Sequence, residues 1–184
     1  MNIFNKVYKI LCEVDARFCS GFLGQIPTDI WSYIYTVWLR LAGAKIGKGS
    51  IIHHRVKIWN PENIDIGKGI RIPASTDIAG MDKILIGDYT LVGANVSFIT
   101  NNHPLEDEKL NWQEVLIGTQ QTIEVGKFCW LMNESKLVAG RTGLKIGNYS
   151  WLAAGSTITK NVGEAEFWGG SPAKFIRKIH PYNG

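Results

Sequence analysis

The side chain best suited to chemistry at neutral pH is the imidazole of His103. It stands in the run Asn101-Asn102-His103-Pro104, followed by an acidic patch of Glu106, Asp107 and Glu108. Imidazole has an unperturbed pKa near ~6.5, so a neutral, proton-accepting fraction exists at cellular pH. Taken alone, a histidine in a loop is more often a surface residue than a catalyst, and its setting must decide. His53 and His54 invite a metal reading. They fall at the second and third places of a hexad, on an outward corner; adjacent side chains of an extended strand point to opposite faces and no third ligand lies nearby, so two solvent-exposed histidines and no metal are expected. Cys12, Cys19 and Cys129 follow no metal or redox spacing, and their odd number speaks against a disulfide framework. Buried thiols in a reducing cytosol are expected.

What positions His103 is legible as a period. From Ile46 to Val162 an aliphatic or aromatic residue returns at every sixth position, as in IGKGSI, IHHRVK and IWNPEN or, later, VGKFCW, LMNESK and LVAGRT. The fifth residue of a hexad is usually small or β-branched, as at Ser50, Val56, Thr90, Cys129 and Ser150. A period of six is neither helical nor a simple strand alternation, so it belongs to a repeating supersecondary unit. Gly47, Gly67, Gly87, Gly126 and Gly147 lie 20, 20, 39 and 21 residues apart, which makes three hexads and a short insertion one coil. Such a unit cannot bury its apolar row alone, but stacked coils bury a continuous one. Five coils at a strand spacing of about 4.8 Å give a prism on the order of 24 Å long. Only between Ile99 and Thr122 does the period disappear, and that excursion carries His103. Long excursions from a regular scaffold are uncommon and often functional.

The remaining chain is divided accordingly. Residues 1–45 are expected to form a helical cap. Ile3, Phe4, Val7, Tyr8, Leu11, Val14 and Phe18 recur at helical spacing, and a second helix follows Thr28, is rich in aromatics and stops at Gly43. These helices are read as covering the open first coil, because their polar faces carry acidic as well as basic residues; peripheral membrane contact is the alternative. The β-helix spans 46–163 with the excursion at 99–122, and 164–184 form a tail with a short helix. Glu13 and Asp15 interrupt the candidate apolar region of a secretory signal, and the run Ile30–Leu41 is far short of the roughly 20 residues a membrane-spanning helix needs. A cytoplasmic location is expected, membrane-peripheral on the alternative reading. The 184-residue chain, with a formal net charge of +4 spread along it, fits a solvated surface better than a nucleic-acid groove.

These hexads resemble those of the hexapeptide-repeat acyltransferases, an all-β family with a left-handed parallel β-helix. The run Ile86 to Pro104 resembles the segment of galactoside and maltose O-acetyltransferases that ends in T-x-x-H-P, with Thr100, His103 and Pro104 at the matching positions. GAKIGKG, the KIWNPENIDIG run and FCWL together look most like the colanic-acid and capsule-type acetyltransferases. The resemblance implies an acetyl-CoA-dependent O-acetyltransferase acting on a sugar or glycoside hydroxyl, nucleotide- or lipid-linked, in surface polysaccharide assembly. His103 would be the general base.

The same resemblance assigns further roles. Trp130 would lie beside the pantetheine arm, and backbone amides at Ala154 and Gly155 would meet it. Thr159 and Lys160 would lie toward the nucleotide. The closing motif G-S-P-A-K-x-I-R would set Lys174 and Arg177 on one face of a short helix, a cationic pair suited to coenzyme A phosphates. Asn102, with Ser75 and Asp77 from the preceding coil, would stand on the acceptor side, although the family's Asn is absent from Pro73-Ala74-Ser75-Thr76-Asp77. The family forms homotrimers with the coenzyme between adjacent prisms. Alternatives are N-acetylation of an amino sugar, which one base serves equally, and, ranked lower, a metal lyase or a non-catalytic scaffold on the same fold.

Overall fold

The computed structural model describes residues 30–102 and 119–180. The helix expected at residues 3 to 18 and the side chain of His103 lie outside the described residues. The chain opens with α1 (Ile30–Leu41) and then winds through short strands in threes. The first turn holds β1 (Lys45–Ile46), β2 (Ile51–Ile52) and β3 (Lys57–Ile58). The second holds β4 (Ile64–Ile66), β5 (Arg71–Ile72) and β6 (Asp77–Ala79), and the third β7 (Ile84–Ile86), β8 (Leu91–Val92) and β9 (Ser97–Ile99). A stem, β10 (Asn101–Asn102) and β11 (Thr119–Gln120), interrupts the winding. It resumes with β12 (Ile123–Val125), β13 (Trp130–Leu131) and β14 (Lys136–Val138), then β15 (Leu144–Ile146), β16 (Trp151–Leu152) and β17 (Thr157–Ile158). The hairpin β18 (Glu166–Gly170) and β19 (Ala173–Lys178) follows.

Equivalent strands of successive turns pair in parallel and in register, so that Ile64, Ile84, Ile123 and Leu144 fall in one column. Three faces result. One is β1-β4-β7-β12-β15, a second β3-β6-β9-β14-β17, and a third β8-β13-β16 with β18 and β19 added and β2-β5 above it. The first residue of the hexad points inward: Ile52, Ile78, Phe98, Leu131, Leu137, Leu152 and Ile158 are all 0% exposed. The fifth position has a second duty besides fitting inside. Ser50 Oγ donates to Gly67 O of the next turn at 2.7 Å and accepts from Ile70 N–H. Thr90 Oγ1 does the same with Gly126 O and Cys129 N–H, and Ser150 Oγ with Gly163 O and Glu166 N–H. A hydroxyl at this corner therefore stitches one turn to the next. The glycine in second place answers to a different constraint: a Cβ on Gly87 would lie 2.6 Å from the carbonyl carbon of Gly126. The turns stack too closely there for any side chain.

Three strands at the α1 end, β1, β2 and β3, lie at the ends of their sheets. Unpaired edges of this kind need partners. Polar side chains of α1 supply them. Thr36 Oγ1 accepts from Ile52 N–H at 2.9 Å, Ser32 Oγ accepts from His54 N–H, and Tyr35 Oη donates to Val56 O. Arg40 donates to the carbonyls of Ile46 and Gly47. Ser32, Thr36 and Leu39 are buried in consequence.

Two expectations are corrected. The C-terminal segment that carries Lys174 and Arg177 is a strand, not a short helix. β18 adds to the free edge of β16, and β19 folds back antiparallel on β18 with a bulge opposite Phe167 and Trp168. An available sheet edge outweighs a local helical spacing. His53 and His54 stand on a corner as expected, but they are half-buried rather than exposed, and their rings stack at 4.4 Å because the opposite-face rule of an extended strand does not hold at a corner.

Candidate functional site

The excursion leaves the solenoid through an antiparallel stem. Asn101 pairs with Gln120 and Asn102 with Thr119, and Gln121 N–H donates to Thr100 O at 2.8 Å. Thr100 itself is fully buried, its Oγ1 accepting from Asp82 N–H at 3.3 Å. The stem anchors both ends of segment 103–118 at the corner after β9. Asn102 belongs to the stem by its backbone; His103 begins the undescribed segment.

A second constellation forms on the outer surface of the β8-β13-β16 face. Register aligns Leu91, Trp130, Trp151, Phe167 and Arg177 in one outward row. Trp130 and Trp151 meet edge-on at 5.7 Å, Trp151 and Phe167 at 6.2 Å, and the Arg177 guanidinium lies 6.0 Å and 5.7 Å from the Trp151 and Phe167 rings. Trp130 stays 41% exposed, enough to contact a ligand. Lys174 pairs with Gly169, and alternation across the bulge returns it to the face of Arg177, so the cations share a face without a helix. The hairpin tip rests on the solenoid through Ser171 Oγ and Thr157 Oγ1 at 3.0 Å. This brings Lys174 to the corner between β16 and β17, where Ala154 and Gly155 lie.

The two backbone amides at that corner differ. Gly155 N–H donates to Asn133 O at 2.9 Å and is spent within the solenoid. Ala154 N–H has no acceptor among the described residues, whereas its counterpart two turns earlier, Ala94 N–H, donates to Asn133 Oδ1 of the following turn. A Cβ built on Gly155 would meet nothing within 4 Å, so a ligand can approach closely. Trp130 and Arg177 thus stand in the outward row of this face, and Lys174 lies two residues along it toward the corner of Ala154 and Gly155.

The other candidates lie elsewhere. Thr159 and Lys160 are exposed at the corner beyond β17, about 16 Å along an extended chain from Gly155. Ser75 is three turns away on the Gly155 corner, and its Oγ accepts from Asn95 N–H at 3.0 Å. Asp77 is exposed on β6 in a polar row with Lys57, Ser97, Lys136 and Thr157. Trp151 and Phe167 complete the aromatic row without having been singled out in the sequence. Trp151 fills the same sixth place of its hexad as Trp130, a signal that was available.

Cys129 is unsuited to nucleophilic chemistry. It is 1% exposed, its thiol donates to Gly147 O at 3.1 Å, and burial pushes its pKa up. Among the described residues no group of three His, Cys, Asp or Glu could hold a metal ion. A groove of about 530 Å³ runs down the β4-β7-β12-β15 face, and four of its charges are paired, Lys127 with Asp88 at 3.3 Å and Lys145 with Glu124 at 3.0 Å. None of the candidate residues lines it.

No protein-family model matches the chain. A protein of Escherichia coli whose name assigns it to colanic acid biosynthesis as an acetyltransferase is 26% identical over 140 residues, 76% of this chain and 72% of that one. The galactoside O-acetyltransferase of Escherichia coli is 26% identical over 137 residues, 74% of this chain and 64% of that one. A hexapeptide-repeat acetyltransferase of Vibrio cholerae, solved with acetyl coenzyme A, superposes with a TM-score of 0.72 over 94% of this chain and 88% of that chain, at 21% identity. With its three-faced solenoid and six-residue period, the chain shares the fold of the hexapeptide-repeat acetyltransferases and is similar in sequence to acetyltransferases.

Proposed function

We propose that this protein transfers the acetyl group of acetyl-CoA to a hydroxyl of a sugar or glycoside during surface polysaccharide assembly, from a left-handed solenoid of five coils. The observation that carries the reading is the edge where a free Ala154 N–H, the open space at Gly155, the Trp130–Trp151 row and Lys174 come together. These residues fit coenzyme A. An amide donor suits the pantetheine carbonyls, an aromatic face suits its apolar arm, and two exposed cations suit its phosphates. The names of the Escherichia coli relatives support acetyl transfer to a sugar.

In the reaction, the acceptor hydroxyl attacks the thioester carbonyl, a C–O bond forms as the C–S bond breaks, and the proton passes from the acceptor to the leaving thiolate. His103 takes that proton as general base, a contribution of typically about 10² to 10⁴-fold, and positioning of both substrates supplies much of the remainder. No covalent enzyme intermediate is needed. The stem of the excursion and the Ala154 edge stand at different corners of one chain, separated by the strand β17 and its equivalents. This separation supports a homotrimer in which His103 of one chain meets the Ala154 edge of a neighbour.

The test is incubation with acetyl-CoA and a panel of sugars, glycosides and amino sugars while free thiol is followed. Acceptor-dependent release on hydroxyl acceptors is expected. Release on amino sugars alone would replace O- with N-acetylation, and none on any acceptor would count against the reading.

A further inference from the structure

α1 has an inverted polarity. Its inner face carries Ser32, Tyr35 and Thr36, which serve strand edges. Its outer face carries Ile30, Tyr33, Ile34, Val37, Trp38 and Leu41, spaced as one helical stripe, with Ile30 62%, Tyr33 61%, Trp38 54% and Leu41 84% exposed. A stripe of this kind on the outside of a helix calls for a partner.

The charge around it indicates which. From Ile30 to Asn60, α1 and the whole first turn contain Arg40, Lys45, Lys48, Arg55 and Lys57 and not one Asp or Glu. Lys45, Lys48, Arg55 and Lys57 are exposed, and none has an ion-pair partner among the described residues. Of the nearby acids, Glu62 stands against Gly43 at the end of α1, while Asp65 beside Lys45 and Asp77 beside Lys57 belong to the second turn, one layer farther from the end. Trp59, 71% exposed, lies on the same first turn. An apolar helical stripe with an exposed Trp and Tyr, and five cations on α1 and the first turn against the single carboxylate of Glu62 beside Gly43, matches a bilayer with an anionic surface. No helix among the described residues is long and apolar enough to cross a membrane, so the contact is one of surface.

We propose that the α1 end of the solenoid docks on an anionic bilayer, α1 lying in the interface plane with its outer stripe toward the acyl chains and the first-turn cations among the headgroups. The inference stands apart from the catalytic reading, since it uses neither the Ala154 edge nor the excursion.

The experiment is flotation of the full chain with vesicles of phosphatidylcholine, with and without phosphatidylglycerol. Binding is expected to be at least tenfold tighter on the anionic vesicles and to weaken as salt rises. Trp38→Glu with Leu41→Glu should lower it at least tenfold while circular dichroism stays unchanged, because both side chains are exposed. Absence of wild-type binding to the anionic vesicles, or equal binding by the double variant, overturns the proposal. Trp38→Phe should bind as the wild type does but show less quenching of tryptophan fluorescence by brominated lipid. Unchanged quenching would move the contact to another segment, such as residues 3–18, and overturn the assignment to α1. A change of oligomeric state in the lipid-free double variant would assign the stripe to a second copy, with the same consequence.

Discussion

Replacing Glu166 by Ala should loosen the C-terminal hairpin while sparing the solenoid. The carboxylate accepts from Gly163 N–H and from the Trp168 indole, each at 2.8 Å, and pairs with Lys178 at 3.0 Å, with only 17% of its side chain exposed. Hydrogen bonds to a charged group contribute about 1.5–3 kcal/mol each, and a partly exposed ion pair at most about 1 kcal/mol. Because the freed donors can reach water, the lower end applies, and the expected loss is about 3 kcal/mol. That lowers amide-exchange protection across β18 and β19 by roughly 150-fold. Amides of the third and fourth turns should exchange as before, since each turn leans mainly on its neighbours. The pH dependence carries the same signature. Desolvation works against the Glu166 charge, but the bonds from Trp168, Lys178 and Gly163 prevail and hold its pKa below the ordinary carboxylate value. A carboxyl depressed in the folded state stabilises above its unfolded pKa and loses that contribution as pH falls through the folded one. Wild-type hairpin protection should therefore fall on acidification below the ordinary carboxylate range, and Glu166→Gln should flatten this dependence. Equal hairpin protection in wild type and Glu166→Ala at neutral pH would refute the argument.

Gly87→Ala forces a Cβ to 2.6 Å from a neighbouring backbone and should cost about 3 kcal/mol, lowering Tm by roughly 6–12 °C, whereas Gly140→Ala, whose Cβ meets nothing within 4 Å, should leave Tm nearly unchanged. Equal melting of the two variants would remove the stacking argument. Lys174→Ala with Arg177→Ala should weaken acetyl-CoA binding roughly tenfold or more by calorimetry, each lost charged contact being worth about 1.5–3 kcal/mol, and an unchanged affinity would end the phosphate assignment.

The winding was legible because each hexad position answers to one constraint: an apolar first residue for the interior, glycine where turns touch, a small or hydroxyl residue at the stitching corner. The C-terminal segment was harder. Lys174 and Arg177 three apart fit a helix, but the same spacing shares a face on a bulged strand, and the free edge of β16, invisible in sequence, decides between them. α1 was legible as a helix but not in the way it faces. Its inner surface meets open N–H and C=O groups of a strand edge, so Ser32, Tyr35 and Thr36 turn inward while Tyr33 and Trp38 are left outside. The Ala154 edge was legible only in part. The motif pointed at two amides, but which of them is free depends on Asn133 in the preceding turn.

The most direct test of acetyl transfer by this chain compares thiol release by wild type and His103→Ala, with acetyl-CoA and the best acceptor, at matched folded content. General-base catalysis predicts at least a tenfold loss with acetyl-CoA affinity retained. Equal turnover by the two proteins would remove His103 from the mechanism.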